Sequence, residues 1–505
     1  MQTKKKIVFN TIILYLKIIV SMAISLVSIP LVLKALGASD YGLYNLVAGV
    51  ITMLAFLNNS MTVSSQRYMS VAMGEQNEHK INIVYNTSFV LHLLLGAIVV
   101  IALEFIGVFA LDSLNIEPSR LSVAQIIYQF LVFSTFAKIL SVPFDAIINA
   151  YEDMLAFSVI EIIDSILMLL FALSLPFAPI DKLIYYGGCV SLIGILTLFM
   201  KYGWCRNTYK NNHIKPFYYK YELKIKEMLG FTSWNLFGSI ALMGRNQGVA
   251  IIINLFLGTI ANAAYGIANQ INGALSNFSS TFQRAINPQL MKSEGMNNRE
   301  RLLRISFISS KFSVLAISLF AIPLMIEMDY VLDLWLGDSI PPFTLRLSQT
   351  IITLSIVYQY SVGIMSAIQA VGNIKKYTIV MSSIILLNIP ITYVLLSLGY
   401  PIYYATGAFV ILEVISLTVR IFMARKLTGM HISDYYNEVI KPTLGIIMPA
   451  TLCSVFIRMS LSKSFISFLI VCLSYVIVYL TLMWLFALDK HMKKSILSKI
   501  HHLNK

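Results

Sequence analysis

The sequence predicts an all-α polytopic membrane protein with about 14 transmembrane helices, arranged as two parallel six-helix lobes around a central cavity plus two C-terminal helices. Of its 505 residues, 57% are hydrophobic and only 12% are charged, about half the charged fraction of a soluble domain. Fourteen apolar runs have the length of about 20 residues that crosses a bilayer. A pattern of Tyr, Gly and Asn also recurs between the two halves of the chain.

The predicted helices occupy almost the whole chain, which leaves no segment for a large catalytic domain outside the membrane. The first helix follows a basic N-terminal segment and has no small-residue cleavage site, so we expect a retained span rather than a signal peptide. The helices are predicted at residues 8–33, 41–65, 82–110, 121–148, 155–176, 183–203, 228–257, 262–289, 305–326, 345–371, 378–397, 402–424, 442–460 and 464–488.

Lysine and arginine are unevenly distributed between the two sides of the predicted membrane. An even number of spans places both termini on one side, and the segments on that side hold 27 Lys and Arg against six on the other. Because short cytoplasmic loops are rich in these residues, we expect both termini in the cytoplasm. The formal charge of +14 then reflects topology and attraction to anionic membrane lipid, and no nucleic-acid partner is implied.

An internal repeat divides the chain into two halves. The motif YGxxNxxxG begins at Tyr41 and recurs 224 residues later at Tyr265. Six spans per half is an even number, so the two repeats are expected to run parallel, related by an axis along the membrane normal. We predict an N-terminal lobe at 1–203, a cytoplasmic connector at 204–227, a C-terminal lobe at 228–424, and a loop, two further spans and a basic tail at 425–505.

Polar side chains form stripes along the first two helices of each predicted lobe. At 100° per residue, side chains spaced by four or seven residues lie on one face of a helix. A single stripe is consistent with hydrogen bonds between neighbouring helices, whereas four stripes on matching helices favour a shared water-filled cavity. The residues that we predict to line it are Asn10, Ser21, Asn45, Thr52, Asn59, Asn235, Asn246, Asn269, Asn272 and Gln283.

Basic residues on the same four helices predict an anionic ligand. An ionised side chain at mid-bilayer costs roughly 2.5 to 3.5 kcal/mol, so it should face a partner or a cavity. Lys17 and Arg245 lie near the middle of their predicted spans and cannot easily reach the interface. Arg67 and Arg284 lie within about two turns of the cytoplasmic boundary, where extension of the side chain to the interface is the alternative. We predict that these four residues form a cationic substrate-binding cavity.

Nothing in the sequence predicts an enzyme, a cofactor or a metal site. The four cysteines form no CxxC pair and have no His at ligand spacing, so we expect buried structural thiols. No GxxxxGK[ST] phosphate loop is present, so ATP is not the expected energy source. The longest predicted outer loop, residues 327–344, holds four acids but no His, Lys or Arg. A membrane glycan polymerase or glycosyltransferase is therefore the least favoured function.

Two N-terminal stretches carry a family resemblance. VLKALGASDYGLYNLVAGV, from Val32, and NNSMTVSSQRYMSVAMGE, from Asn58, resemble the O-antigen and capsule repeat-unit flippases of the polysaccharide transporter family. That family belongs to the multidrug/oligosaccharidyl-lipid/polysaccharide exporter superfamily. The resemblance implies translocation of an undecaprenyl-diphosphate-linked oligosaccharide across the bacterial inner membrane by alternating access, for surface polysaccharide synthesis. It also implies contact with the polysaccharide polymerase machinery, and basic residues on the cavity-lining helices.

An ion-coupled multidrug or cation antiporter of the same superfamily is the alternative function. It predicts carboxylates on the first and seventh spans, where this chain has Lys17 and Arg245. Flanking glycosyltransferase genes would favour the flippase, and a drug-responsive regulator beside an isolated gene would favour the antiporter.

Four carboxylates within the predicted spans are candidates for coupling transport to protons or sodium ions. We expect a buried ion pair between Lys138 and Asp164, and we expect no local partner for Glu413. Glu413 is therefore the candidate for proton coupling, and a cluster of three acids is the candidate for sodium, because sodium favours several oxygens together. The alternative is that all four are structural and that transport follows the glycan gradient. The three clustered acids are Asp145, Glu161 and Asp164.

Overall fold

The structure is a computed structural model that describes residues 2–52, 55–113, 116–219, 222, 224–337 and 340–487. All regular secondary structure in these residues is helical, which confirms the all-α fold class. The helices are α1 (Gln2–Thr52), α2 (Ala55–Gly74), α3 (Glu78–Ser113), α4 (Leu121–Tyr151), α5 (Met154–Ser174), α6 (Lys182–Thr208), α7 (Ile225–Gly295), α8 (Arg299–Ile326), α9 (Met328–Leu336), α10 (Thr344–Val371), α11 (Lys375–Leu386), α12 (Asn388–Ser397), α13 (Ile402–Thr428), α14 (Ile432–Tyr435), α15 (Lys441–Met459) and α16 (Phe465–Leu482).

Twelve stretches of the described residues are long and apolar enough to cross a membrane. One of them, Ile225–Asn277, contains most of the predicted seventh and eighth spans, which are separated within α7 by the non-helical residue Gly258. The predicted second span, 41–65, extends from α1 into α2 across residues 53–54, which lie outside the described part of the chain. The polytopic helical architecture with about fourteen helices is therefore confirmed.

The chain divides into two compact units. Unit 1 comprises Met1–Ser239 together with Arg284–Asn298, and unit 2 comprises Ile240–Gln283 together with Arg299–Lys505. The C-terminal end of α7 thus belongs to unit 1, although the preceding part of the same helix belongs to unit 2.

In unit 1, α4 is the central helix and packs against α2, α3 and α6. Its buried side chains are mostly branched or small, including Ile127, Val132 and Ala146, as is typical of a helix surrounded by other helices. In unit 2, α10 packs against α8 and α13. The two C-terminal helices also belong to this unit, and Tyr475 and Tyr479 of α16 donate hydrogen bonds to backbone carbonyls of α8. Each unit therefore has its own buried helix packing.

A glycine interrupts helical geometry within both α1 and α7. Gly37 within α1 has φ 79° and ψ 165°, and Gly258 within α7 has φ 77° and ψ −173°. This region of backbone conformation is essentially restricted to glycine. Both glycines follow a leucine and precede a Tyr-Gly pair, although they stand three residues out of register with the YGxxNxxxG repeat. The matching breaks support the internal repeat independently of the sequence motif.

We predict that Gly37→Ala and Gly258→Ala each lower the free energy of unfolding by about 1–3 kcal/mol, because alanine must adopt a strained conformation. The matched controls are Gly42→Ala and Gly266→Ala, which lie in helical backbone with no atom within 4 Å of an added Cβ. These controls are expected to be neutral or slightly stabilising. The measurement is the thermal unfolding midpoint of the purified protein in detergent. Equal midpoints for all four variants would show that the glycine conformation is not required.

Candidate functional site

A cluster of charged side chains surrounds one aromatic ring inside unit 1. The Nζ atoms of Lys17 and Lys201 lie 5.9 and 5.8 Å from the centroid of the Phe157 ring, and the guanidinium carbon of Arg284 lies 4.6 Å from it. Cations within about 6 Å of a ring face are attracted by the ring quadrupole. The structure therefore brings Lys17 and Arg284, which were predicted to share a site, to the same ring. We call this group, with Asp145 and Glu161, the Phe157 cluster.

Two carboxylates hold the lysines of the Phe157 cluster. Glu161 lies 3.4 Å from Lys17 and 3.4 Å from Lys201, and Asp145 lies 2.9 Å from Lys201. The side chain of Lys201 is only 6% exposed, whereas that of Glu161 is 30% exposed. Within the described residues, three cations thus face two carboxylates, so the cluster carries an excess of one positive charge.

Lys201 is a member of the cluster that the sequence analysis missed. It falls at the end of the predicted sixth span, 183–203, and was counted with the basic residues on the cytoplasmic side, whereas the structure places it inside α6, facing α4 and α5. Lys201 lies four residues after Thr197, on the same face of the helix, and this spacing could have indicated that the two polar side chains face the same neighbouring helices.

The predicted ion pair between Lys138 and Asp164 is wrong. Asp164 of α5 faces α6, where its carboxylate accepts a hydrogen bond of 2.7 Å from the Thr197 hydroxyl. Lys138 is exposed on α4. The two residues were matched by their depth along the helices, and depth does not specify which neighbouring helix a side chain faces.

A second charged cluster lies within unit 2 around Arg420 of α13. The Nη1 atom of Arg420 donates hydrogen bonds to Glu413 Oε1 at 2.5 Å and to Ser361 Oγ at 2.9 Å. The Arg420 guanidinium also lies 5.6 Å from the centroid of the Tyr358 ring, and only 2% of its side chain is exposed. Arg245 lies within electrostatic range of Glu413 and Tyr358. We call these five residues the Arg420 cluster, in which two guanidiniums face one carboxylate.

The expectation that Glu413 has no local partner is wrong. Arg420 lies two turns later on the same helix, near the end of the predicted span 402–424, and it was counted with the basic residues on the cytoplasmic side. The seven-residue spacing, which places two side chains on one helix face, was the missed signal.

Arg67 is not part of the Phe157 cluster. It is buried at 9% exposure, and its guanidinium carbon lies 4.6 Å from the Tyr68 ring centroid and 4.8 Å from that of Phe231. Glu227 and Glu294 lie within its electrostatic range. The structure therefore places Arg67 where α2 contacts both ends of α7 that belong to unit 1.

The structure shows hydrogen bonds for seven of the ten side chains predicted to line the cavity. Asn235 and Asn269 donate to carbonyls one turn earlier in their own helices, and Arg245 donates to the Asn246 side chain. Ser21 bonds to Ser165 of α5. The remaining contacts are Asn10 with the Glu152 carbonyl, Asn272 with Ser276 and Gln283 with Ser279, and the side chains of Asn45, Thr52 and Asn59 lie outside the described part of the structure.

The turn between α4 and α5 holds a buried carboxylate that sequence reasoning did not single out. Glu152 is 3% exposed and has a left-handed backbone with φ 61°. Its carboxylate lies 2.5 Å from Lys292 Nζ, accepts a hydrogen bond from Gln289 and lies 3.7 Å from Lys6 Nζ. We call this the Glu152 cluster. It attaches the C-terminal end of α7 to the rest of unit 1.

Ion pairs outside the spans fix the ends of helices. Burial raises the pKa of Asp181, but hydrogen bonds from Arg120 and from the first amides of α6 lower it by more. The pKa of Asp181 therefore lies below the usual value. Hydrogen bonds to Asp329 and Asp333 raise the pKa of Lys463, which precedes α16. Within the described ranges no group of three or more His, Cys, Asp or Glu residues is arranged to hold a metal ion.

Comparison with known proteins identifies the fold. The sequence model of the MatE family matches residues 13–173. No curated protein sequence matches the chain.

Three solved structures are similar, each with a TM-score of 0.71. An outward-facing multidrug resistance MATE family transporter of the MOP superfamily is 14% identical, over 86% of this chain and 96% of that one. A MATE protein in its straight conformation is 15% identical, over 86% and 97% of the two chains. A MOP superfamily transporter from Pyrococcus furiosus, described as having a binding pocket of reverse polarity that suggests a different function, is 13% identical over 86% and 96%. The chain therefore has the fold of MATE transporters.

Proposed function

We propose that this protein translocates an anionic lipid-linked oligosaccharide, of the undecaprenyl-diphosphate class, across the bacterial cytoplasmic membrane for the synthesis of a surface polysaccharide. The observation that carries the proposal is the excess of positive charge in both clusters. Three cations face two carboxylates in the Phe157 cluster, and two guanidiniums face one carboxylate in the Arg420 cluster.

A lipid diphosphate matches this chemistry. Its negative charges would compensate the surplus cations, and guanidinium groups bind phosphate oxygens with two parallel hydrogen bonds. Arg284 is exposed and is held by the Phe157 ring, so its donors can meet a ligand. Polar side chains on the same helices, such as Asn235 and Gln283, supply partners for sugar hydroxyls.

Ion-coupled multidrug antiport is the second candidate function. It is favoured by the similar solved structures, one of which is a multidrug resistance transporter. A site for organic cations needs uncompensated negative charge, whereas Asp145 and Glu161 are both paired with lysines. The reverse pocket polarity described for the Pyrococcus furiosus transporter supports the view that this fold serves more than one type of substrate.

Coupling to protons or sodium ions remains part of the proposal. Glu413, the predicted proton-coupling residue, forms an ion pair with Arg420. Glu161 is likewise paired with Lys17 and Lys201, so its contacts do not set it apart as the coupling group, although it is the more exposed of the two carboxylates in the Phe157 cluster. Occupation of this cluster by sodium would require displacement of Lys201.

We predict that Lys17→Gln and Arg245→Gln each reduce translocation at least tenfold. Each substitution removes a charge-assisted contact worth about 1.5–3 kcal/mol, which corresponds to roughly 10- to 100-fold. The measurement is export of the lipid-linked glycan in a flippase-deficient strain, with the amount of folded protein checked by size-exclusion chromatography. Lys138→Gln, which removes an exposed charge from α4, is the matched control and should retain activity. Full complementation by both test variants would place the anion site elsewhere.

A further inference from the structure

The connector between α6 and α7 is held in a fixed path along the first turns of α3. Asn82 donates to the Asn211 carbonyl at 3.0 Å and accepts from the His213 amide at 3.0 Å. Asn86 donates to the His213 carbonyl at 2.8 Å and accepts from the Lys215 amide at 2.6 Å. Two amide side chains one helical turn apart therefore bind the connector backbone as a neighbouring strand would.

This fixed path ends in a turn that presents two aromatic side chains. The Tyr218 amide donates to the Lys215 carbonyl at 3.0 Å, which closes the turn. Phe217 is 89% exposed and Tyr218 is 74% exposed, the first being the most exposed large hydrophobic side chain in the described part of the chain. We call residues 215–219 the connector turn. Exposed aromatic side chains on a fixed turn, rather than on a free loop, indicate a surface that binds something.

The surroundings of the connector turn are basic. Residues 204–226 contain six Lys and Arg against one Glu, and Arg206, Lys210 and Lys215 are all exposed. Among the described residues, the carboxylates that contact this segment or belong to it are Glu78, Asp153 and Glu222, so the six cations remain in excess. The partner is therefore expected to be anionic, with an apolar layer for the aromatic rings.

The depth of the turn agrees with a lipid surface. On α3, residues 81–92 are covered by neighbouring parts of the protein, and the large exposed hydrophobic side chains begin at Leu93 and Leu94, so the hydrocarbon layer starts at or before these residues. Asn86 precedes Leu93 by seven residues, or about 10 Å at 1.5 Å per residue. The headgroup layer extends roughly 5–8 Å beyond the hydrocarbon on each side. The backbone held by Asn86 thus lies close to the headgroups, within reach of the Phe217 side chain.

We propose that the connector turn binds the cytoplasmic leaflet of the membrane, with Phe217 and Tyr218 inserted at the interface and Arg206, Lys210 and Lys215 on anionic phospholipid headgroups. Aromatic rings are favoured at this depth, and each Lys or Arg near an anionic surface strengthens binding. The binding fixes the connector, and with it the start of α7, to the bilayer surface. This inference does not depend on the identity of the transported substrate.

The test places an environment-sensitive fluorophore on the turn. Full-length protein with its four cysteines replaced receives Phe217→Cys, labelled with nitrobenzoxadiazole, and is reconstituted in phosphatidylcholine with or without phosphatidylglycerol. We expect emission to shift to the blue and iodide quenching to fall when phosphatidylglycerol is present. The control label is Gln76→Cys, an exposed position in the turn before α3, which should stay accessible in both bilayers.

The second test removes two of the basic side chains. Lys210→Gln with Lys215→Gln should weaken binding of dioctanoyl phosphatidylglycerol in detergent, read from the fluorescence of the label at position 217, about 25-fold, since each lysine contributes about a factor of five. Arg425→Gln with Lys426→Gln, two exposed cations at the end of α13, is the matched control and should leave the response unchanged. Iodide access to position 217 in both bilayers would overturn the proposal and indicate a protein partner. An equal blue shift in phosphatidylcholine alone would overturn the role of anionic headgroups.

Discussion

Replacement of Gly363 by alanine is expected to prevent stable assembly of unit 2. Gly363 of α10 lies where α8 crosses it, and an added Cβ would stand 1.9 Å from the Ser306 carbonyl oxygen and 2.8 Å from the Ser310 amide nitrogen. Both are backbone atoms, so the clash cannot be relieved by rotation of a side chain. The Gly363 amide also donates to Ser310 Oγ at 3.0 Å, a bond that separation of the helices would break.

We expect Gly363→Ala to lower the free energy of unfolding by about 3 kcal/mol or more, at or above the upper end of the range for overpacked cores. The measurement is the thermal midpoint and the monodisperse fraction in size-exclusion chromatography. Gly407→Ala on α13 is the matched control, because no atom lies within 4 Å of its added Cβ. A Gly363→Ala protein as stable as the control would show that α8 and α10 do not cross at this glycine.

Removal of the Glu152 carboxylate is expected to have an effect of similar size in unit 1. Glu152→Ala leaves the Lys292 ammonium, 17% exposed, without the carboxylate that lies 2.5 Å from it. Breaking one partner of a buried ion pair costs about 3–5 kcal/mol. The end of α7 should then detach more easily, which hydrogen exchange over Arg284–Gly295 can detect alongside the thermal midpoint.

Two comparisons separate the charge effect from the backbone effect. Gln76→Ala alters a residue with a similar left-handed backbone, φ 55°, at an exposed position, and should change the stability little. Glu152→Gln combined with Lys292→Met should be more stable than the sum of the single effects predicts, because both buried charges are then absent. Additive effects in the double variant would contradict a direct interaction between the two side chains.

The helical class and the approximate positions of the spans followed from hydropathy, because a segment that crosses a bilayer must satisfy its backbone hydrogen bonds internally and present apolar side chains. The gaps between the predicted spans at 34–40 and 258–261 contain Gly37 and Gly258, where the structure interrupts α1 and α7. These features depend on residues that are close together in the sequence, so they can be predicted from a single sequence.

The partners of buried charges could not be predicted in the same way. Lys17 and Arg284 were expected to share a site, and the structure brings both to Phe157, yet the ring itself and Lys201 were missed. Lys201 and Arg420 fall near the ends of their predicted spans and were counted with the cytoplasmic charges, although both are buried within helices. Whether Asp164 faces α4 or α6 depends on the rotation of α5 about its own axis. The depth of a residue along its helix gives no information on this rotation.

The charge preference of the transported molecule tests the central claim most directly. Purified protein is reconstituted in proteoliposomes and offered either a fluorescent prenyl-diphosphate-linked oligosaccharide or the organic cation ethidium, with and without imposed pH and sodium gradients. The surplus of cations in the Phe157 and Arg420 clusters predicts translocation of the diphosphate lipid and none of ethidium, with loss of the lipid signal in Lys17→Gln. Gradient-driven movement of ethidium, without translocation of the lipid, would contradict an anion-binding site and support the multidrug antiporter.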